Sequence, residues 1–344
     1  MVSSPYYHCL TLSLLLVPPL IFGTYLLVAF PSPPETLSLH PSLASLPRHA
    51  KSWQIYPEDF YEGGSYVSFP QGRMRYWLLG PENGKKVVLI HGLSIPAIVW
   101  KDIAPRLVAR GYRVLLYDLY GRGYSDAPET TYEPGLFTIQ LALLMQHLNW
   151  DKASIVGSSM GGGIAAAFTA HFPHLVDEKV ILIASAGLIE NCDISRTAKF
   201  MSSPLVQSVA SSMPFRKYLQ RLTNTTSITG DDEVDPMIEI VRVQSAHLPG
   251  YNAALSSSLR DGPIRGQSAM FSSSGFEGKK VLLIHGTKDV TVHPKYAPRI
   301  IELLPDETKK SAKLVTIEDG GHEIVLTHAE IVTDEMIQFL EAKH

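Results

Sequence analysis

Cysteine is scarce: Cys9 and Cys192 are the two in 344 residues, too few for a disulfide framework. Long runs of one charge are absent as well. The 30 basic and 33 acidic residues are interspersed and give a formal net charge of −3 at pH 7, so the basic stripe that nucleic-acid binding needs is missing. No zinc-ligand spacing and no Gly-rich phosphate loop occur, and no metal or cofactor is expected. The length accommodates one large α/β domain with an insertion and a leader.

What is present is a set of short apolar runs ending in glycine-bearing loops. Ala153-Ser154-Ile155-Val156 leads directly into Gly157-Ser158-Ser159-Met160-Gly161, and a small-residue helix is predicted from near Met160. A Gly-x-Ser-x-Gly string is common. A strand ending at the first glycine, with a helix beginning after the serine, is the context in which the turn exposes a nucleophilic hydroxyl. Gly157 and Gly161, extended by Gly162 and Gly163, leave room for that turn. The helix start adds about half an elementary positive charge behind Ser159. Taken alone, the string reads better as a glycine-rich helix start with a solvent-facing serine.

A serine hydroxyl needs a base, and the base needs an orienting partner. Residues 280–286 read as a buried parallel strand with Asp289 just beyond it, and residues 312–317 as the last strand, followed by Glu318-Asp319-Gly320-Gly321-His322 and a helix to about residue 340. Asp289 could merely cap a turn, and His322 could be an ordinary loop histidine. Strand-end placement of all three favours a triad of Ser159, Asp289 and His322. Asp319 and Glu318 are rival acids, but they share one short loop with His322. Residues 86–90 form another apolar strand, ending in His91-Gly92-Leu93-Ser94. The Leu93 amide there, paired with that of Met160, is expected to hold an oxyanion. His91 and His285 read as structural hydrogen bonders, and Asp118 and Arg122 as residues that fix the loop after strand 112–117.

The motifs Leu89-Ile90-His91-Gly92, Asp118-Leu119-Tyr120-Gly121-Arg122-Gly123-Tyr124-Ser125-Asp126, the turn around Ser159, Gly286-Thr287-Lys288-Asp289 and Gly320-Gly321-His322 together resemble the α/β-hydrolase superfamily. The likeness is to its branch with a lid inserted after the sixth strand and covers roughly residues 65 to 342. It implies an α/β fold with a mostly parallel central sheet flanked by helices. The chain order Ser159, Asp289, His322 is that of this superfamily. Haloalkane dehalogenases and epoxide hydrolases of the branch attack with aspartate, whereas this turn carries serine. Carbon–carbon bond hydrolases use serine, with a longer glycine-rich oxyanion segment than His91-Gly92-Leu93-Ser94. Cofactor-free perhydrolases share the triad.

Residues 9–30 carry no charge, and about 20 apolar residues cross a bilayer. No basic residue precedes the run, which favours an uncleaved single-pass anchor, on an endomembrane, over a signal peptide of a secreted protein, although Pro18-Pro19 would kink it. Arg48 and Lys51 point the catalytic domain to the cytoplasmic side, while Asn224-Thr225-Thr226 fits a glycosylation acceptor on the opposite side. The expected division is an anchor or signal at 1–30, a Pro-rich linker at 31–64, a core at 65–189 and 276–344, and a helical lid at 190–275. The stretch between the sixth strand, 179–184, and the seventh far exceeds the dozen or so residues of a crossover. Met201, Val206, Val209, Met213, Phe215 and Leu219 form one amphipathic pattern, and Ile238, Ile240, Val241 and Val243 another. As a group they imply an apolar passage over Ser159.

The expected activity is hydrolysis of carboxylic esters with an apolar part, with a small-molecule ester or lipid as substrate and the membrane as a partner through the N-terminal segment. Resemblance to monoacylglycerol-lipase-like enzymes implies lipid monoesters. The alternatives are carbon–carbon bond hydrolysis, perhydrolysis, and a hydrolase-like binding protein with an idle triad.

Overall fold

The computed structural model describes residues 5–29, 36–203, 206, 217 and 235–342, with side chains in the first helix over 12–26. The chain divides into two compact units, Met1–Leu37 and Ser38–His344. The first contains helix α1 (Pro5–Ala29), with Pro18 and Pro19 inside it. Among the described residues no helix is long and apolar enough to cross a membrane, which overturns the expected single-pass anchor and the membrane as a partner. Each interior proline removes a backbone donor and crowds the preceding turn. Val209, Met213, Phe215, Leu219 and the Asn224-Thr225-Thr226 sequon lie outside the described residues.

The second unit is built on an eight-stranded sheet: β1 (Gly64–Phe69), β2 (Gly72–Leu79), β3 (Lys86–Ile90), β4 (Arg113–Tyr117), β5 (Ala153–Ser158), β6 (Val176–Ile183), β7 (Lys280–Gly286) and β8 (Lys313–Ile317). The spatial order is β8-β7-β6-β5-β3-β4-β2-β1. Pairs from β8 through β4 are parallel, and β2 runs antiparallel to both neighbours. This is the α/β-hydrolase fold. Strand β6 starts earlier than the apolar run beginning at Lys179, because Asp177 and Glu178 face solvent at its exposed entry.

The parallel strands read as continuous apolar runs because both faces of the sheet are covered. The covering helices are α2 (Ala104–Ala109), α3 (Pro134–His147), α4 (Met160–His171), α5 (Pro236–His247), α6 (Tyr251–Asp261), α7 (Tyr296–Leu303) and α8 (Ala329–Glu341). Alternate strand residues point to opposite faces. Val88, Ile90, Ile155 and Leu283 meet Phe137 of α3, Phe168 of α4 and Ile300 of α7. Val87, Leu89, Val156 and Ile284 meet Leu107 of α2, Ile240 of α5 and Met336 of α8. Helix α3 opens with Pro134 in its first turn, where a missing N–H costs little. Asn149 follows its end at φ 54°, in the left-handed region that closes helices.

From Ser38 onward the stretch expected to be a linker belongs to the packed unit. Leu43, Tyr56 and Tyr61 are buried, and Leu39–His40 pairs antiparallel with Ala127–Pro128. The pattern there is too irregular for a period-based reading, yet these side chains complete the face shared by α2, α5 and α8. The final helix is interrupted: a short turn, Ile324–Thr327, precedes α8.

Candidate active site

Every expected site residue lies just beyond the carboxyl end of a parallel strand, the edge where open α/β sheets bind ligands. Ser159 sits between β5 and α4 at φ 56°, ψ −122°, a conformation that costs a non-glycine residue about 1–3 kcal/mol. The turn is held by neighbours: Ser159 N–H donates to Ile183 O (2.9 Å), and Ser159 O accepts from Gly162 N (2.9 Å) and Ala186 N (3.0 Å). Close approach explains the flanking glycines. A Cβ on Gly157 would lie 2.1 Å from Gly161 O, and one on Gly161 2.2 Å from Ile90 O.

His322 Nε2 is 2.8 Å from Ser159 Oγ, and its Nδ1 is 2.8 Å from Asp289 Oδ2. The other Asp289 oxygen accepts from the amides of Thr291 (2.9 Å) and Val292 (2.8 Å). Burial alone would raise the Asp289 carboxyl, but donors from His285 and His322 and the Val292 amide outweigh it and hold the group well below the carboxylate range. An ionised acid there fixes Nδ1–H on His322 and leaves Nε2 free to accept the serine proton.

Leu93 and Met160 border a cavity of about 460 Å³ together with Ser159 and His322. Among the described residues neither backbone amide donates to a protein acceptor. A Cβ on Gly92 would stand 3.2 Å from Ser159 Cβ and 3.6 Å from Oγ, so glycine keeps this loop close to Ser159. The rest of the lining is mainly apolar, including Val99, Ile189, Ile194, Leu259, Ile264 and Val325.

A profile of the alpha/beta hydrolase family matches residues 87–335. The chain belongs to that family. It is similar to a 2-hydroxy-6-oxo-2,4-heptadienoate hydrolase of Pseudomonas putida, at 26% identity over 229 residues, covering 64% of this chain and 78% of that one. It is also similar to a non-heme chloroperoxidase of Streptomyces lividans, at 25% identity over 284 residues, covering 76% and 94%. Among solved structures, a thermophilic esterase from Thermogutta terrifontis superposes with a TM-score of 0.61 at 20% identity, covering 80% and 98%. An enol-lactonase from Burkholderia xenovorans gives 0.63 at 21%, covering 81% and 100%; these two likenesses are of fold.

In this α/β hydrolase the three residues expected to form a triad are in contact, and the two expected oxyanion residues border the same cavity. Glu318 and Asp319 are not bonded to His322; Asp319 instead pairs with Lys288 at 2.6 Å. Asp118 and Arg122 fix their loop as expected. Asp118 accepts from the amides of Ala97 and Tyr124, each at 2.8 Å, and burial pushes it up to about 7. Arg122 is buried and donates to Leu93 O (2.9 Å), Tyr120 O (3.0 Å) and Ser258 Oγ (2.7 Å). Ile240 and Val243 pack into the core, and among the described residues it is Ile194, Leu259 and Ile264 that border the cavity. Leu259 and Ile264 carried no local motif, and only the path of the insertion brings them to Ser159.

Proposed function

We propose that this α/β hydrolase is a serine hydrolase that cleaves neutral carboxylic esters with an apolar acyl or alcohol part. The observation that carries the reading is the relay from Ser159 Oγ to His322 Nε2 and from His322 Nδ1 to Asp289, each link at 2.8 Å. Ser159 would attack the ester carbonyl as His322 takes its proton. The amides of Leu93 and Met160 would hold the tetrahedral oxyanion. His322 then protonates the leaving alcohol, and water releases the acyl group through the same steps reversed. The segment after β6 would act as a lid over the passage.

Carbon–carbon bond hydrolysis and perhydrolysis use the same groups, so the lining has to separate the readings. Among the described residues the carboxylates bordering the cavity are Asp193 and Glu323, and no lysine or arginine borders it. Asp193 pairs with Lys295 at 2.5 Å, so the lining offers Glu323 and no basic side chain to a carboxylate-bearing dienoate, which favours an uncharged ester. Lipid monoesters belong to the screen for this reason.

The test is labelling by a fluorophosphonate of the unmodified protein and of Ser159→Ala, followed by turnover of p-nitrophenyl esters and of 2-hydroxy-6-oxo-dienoates. Labelling confined to the unmodified protein, with ester turnover exceeding dienoate turnover, is the expected result. Absence of labelling would transfer weight to a binding protein with an idle triad, and preferential dienoate cleavage would overturn the ester assignment.

A further inference from the structure

We propose that His91, Arg122 and Tyr251 are positioning residues that aim the Leu93 amide by clamping three successive carbonyls of the 92–94 loop, making the rate of the chemical step depend on helix α6 of the insertion. The proposal rests on the ester-hydrolase reading.

The three contacts run in series along the loop. His91 Nδ1 bonds Gly92 O at 2.9 Å, Arg122 Nε donates to Leu93 O at 2.9 Å, and Tyr251 OH donates to Ser94 O at 3.0 Å. Gly92 C=O and Leu93 N–H belong to one planar trans peptide, in which the two groups point in opposite directions. Fixing the carbonyl therefore fixes where the amide points. The direction of the His91 bond follows from its other nitrogen: Leu119 N–H donates to His91 Nε2 at 2.9 Å, so Nε2 is bare and the proton is on Nδ1. The ring is fully buried, and burial keeps it neutral, with its pKa down to about 3.

Arg122 is a costly way to hold a loop. It is fully buried, its acceptors are two carbonyls and a hydroxyl, and the rings of Tyr132 and Phe137 lie 5.5 and 5.8 Å from its guanidinium carbon. A buried cation held by neutral dipoles adds little to stability. Its fork does something an apolar residue could not, reaching the oxyanion loop with one nitrogen and Ser258 of α6 with another. Tyr251 opens the same helix, and Gln244 of α5 lies 3.5 Å from Ser94 O. Two independent ties thus run from α6 to a loop whose neighbour is the nucleophile. Neither Arg122 nor Tyr251 borders the cavity, so both act on the amide and not on substrate.

The test uses the full chain carrying Tyr251→Phe, which removes one hydroxyl. Turnover of p-nitrophenyl butyrate and inhibition by an alkyl boronic acid, whose serine adduct is a tetrahedral anion, are measured beside melting temperature. The expected result is a fall in kcat of about tenfold, a fraction of the 10²–10³ that loss of an oxyanion donor costs, with KM within twofold. Boronic acid affinity should fall by the same factor while binding of the product alcohol is unchanged. Arg122→Lys, which keeps the charge and loses the fork, should move the same quantities in the same direction and carries the test if Tyr251→Phe does not fold. An unchanged kcat, or a lower kcat with unchanged boronic acid affinity, overturns the proposal. Failure of the unmodified protein to react with a fluorophosphonate would instead overturn the ester-hydrolase reading beneath it.

Discussion

The carboxylate of Asp289 stands between two imidazoles. Its Oδ2 lies 2.8 Å from His322 Nδ1 and 3.3 Å from Nε2 of His285, a nitrogen that also donates to Val292 O at 2.8 Å. His285 belongs to β7 and Asp289 to the loop leaving it, so a residue fixed in the sheet anchors the carboxylate that His322 bonds.

Asp289→Asn keeps the size of the side chain but offers an amide where His322 needs an acceptor. By analogy with the loss of the acid in a serine triad, kcat should drop about 10⁴-fold. Single-turnover kinetics should place that loss in acylation, with little change in substrate affinity.

The pKa of Asp289 is depressed in the fold, so its contribution to stability is complete above the unfolded value of ~3.9 and is lost as pH falls below it. His91 adds to the same trend. Burial lowers it to about 3, against ~6.5 unfolded, so between these values the unfolded chain binds the proton better and stability drops with falling pH. Urea unfolding below pH ~4, where Asp289 and His91 both lose their contribution, should show stability falling with pH, with a smaller slope in Asp289→Asn.

Asp118 works in the opposite direction. Its pKa is raised to about 7 by burial, in spite of donors from Tyr124, Ala97 and Tyr56. The folded state keeps that proton longer than the unfolded one, so its contribution declines as pH rises from ~3.9 to about 7. Asp118→Asn removes the titration. Relative to the unmodified protein, its stability should improve with pH across that window and level off above it, as urea unfolding at pH 5 and pH 8 would read.

Gly92→Ala would place a methyl 3.2 Å from Ser159 Cβ, tighter than a relaxed contact. Small displacements of a nucleophile can cost on the order of 100-fold. Phosphonate labelling should slow at least about tenfold, with a melting temperature close to that of the unmodified protein.

The division into two units predicts different outcomes for two truncations. Removing residues 1–37 leaves Ser38–His344 whole and should preserve folding and turnover. Extending the deletion through residue 61 removes Leu43, Tyr56 and Tyr61, all buried, together with the bond from Tyr56 to Asp118. Each such side chain is worth about 1.5–3 kcal/mol of burial. The shorter chain should therefore fail to melt cooperatively in calorimetry.

Much of the fold was legible because a parallel sheet buried on both faces writes itself as continuous apolar strands, and five of them end in recognisable glycine-bearing loops. Ser159, Asp289 and His322 were legible for the same reason, since strand ends gather at one edge of such a sheet. The packed segment after Ser38 was read as a linker because the stretch is Pro-rich, and its buried side chains follow no period that would have pointed to packing. The uncharged run at 9–30 was read as an anchor from composition, although among the described residues no helix is long and apolar enough to cross a membrane.

Local sequence by itself determined the strands, the Gly157–Gly161 turn and the chain order Ser159, Asp289, His322. These depend on neighbours in the chain: apolar periodicity, glycine where backbone meets backbone, and polar residues at strand ends. Tertiary structure alone decided that Leu259 and Ile264 would border the cavity, and that Arg122 and Tyr251 would hold carbonyls of the 92–94 loop. Those contacts join residues far apart in the chain or bring different elements together. Their distances are set by how the insertion packs on the sheet, which no local pattern encodes.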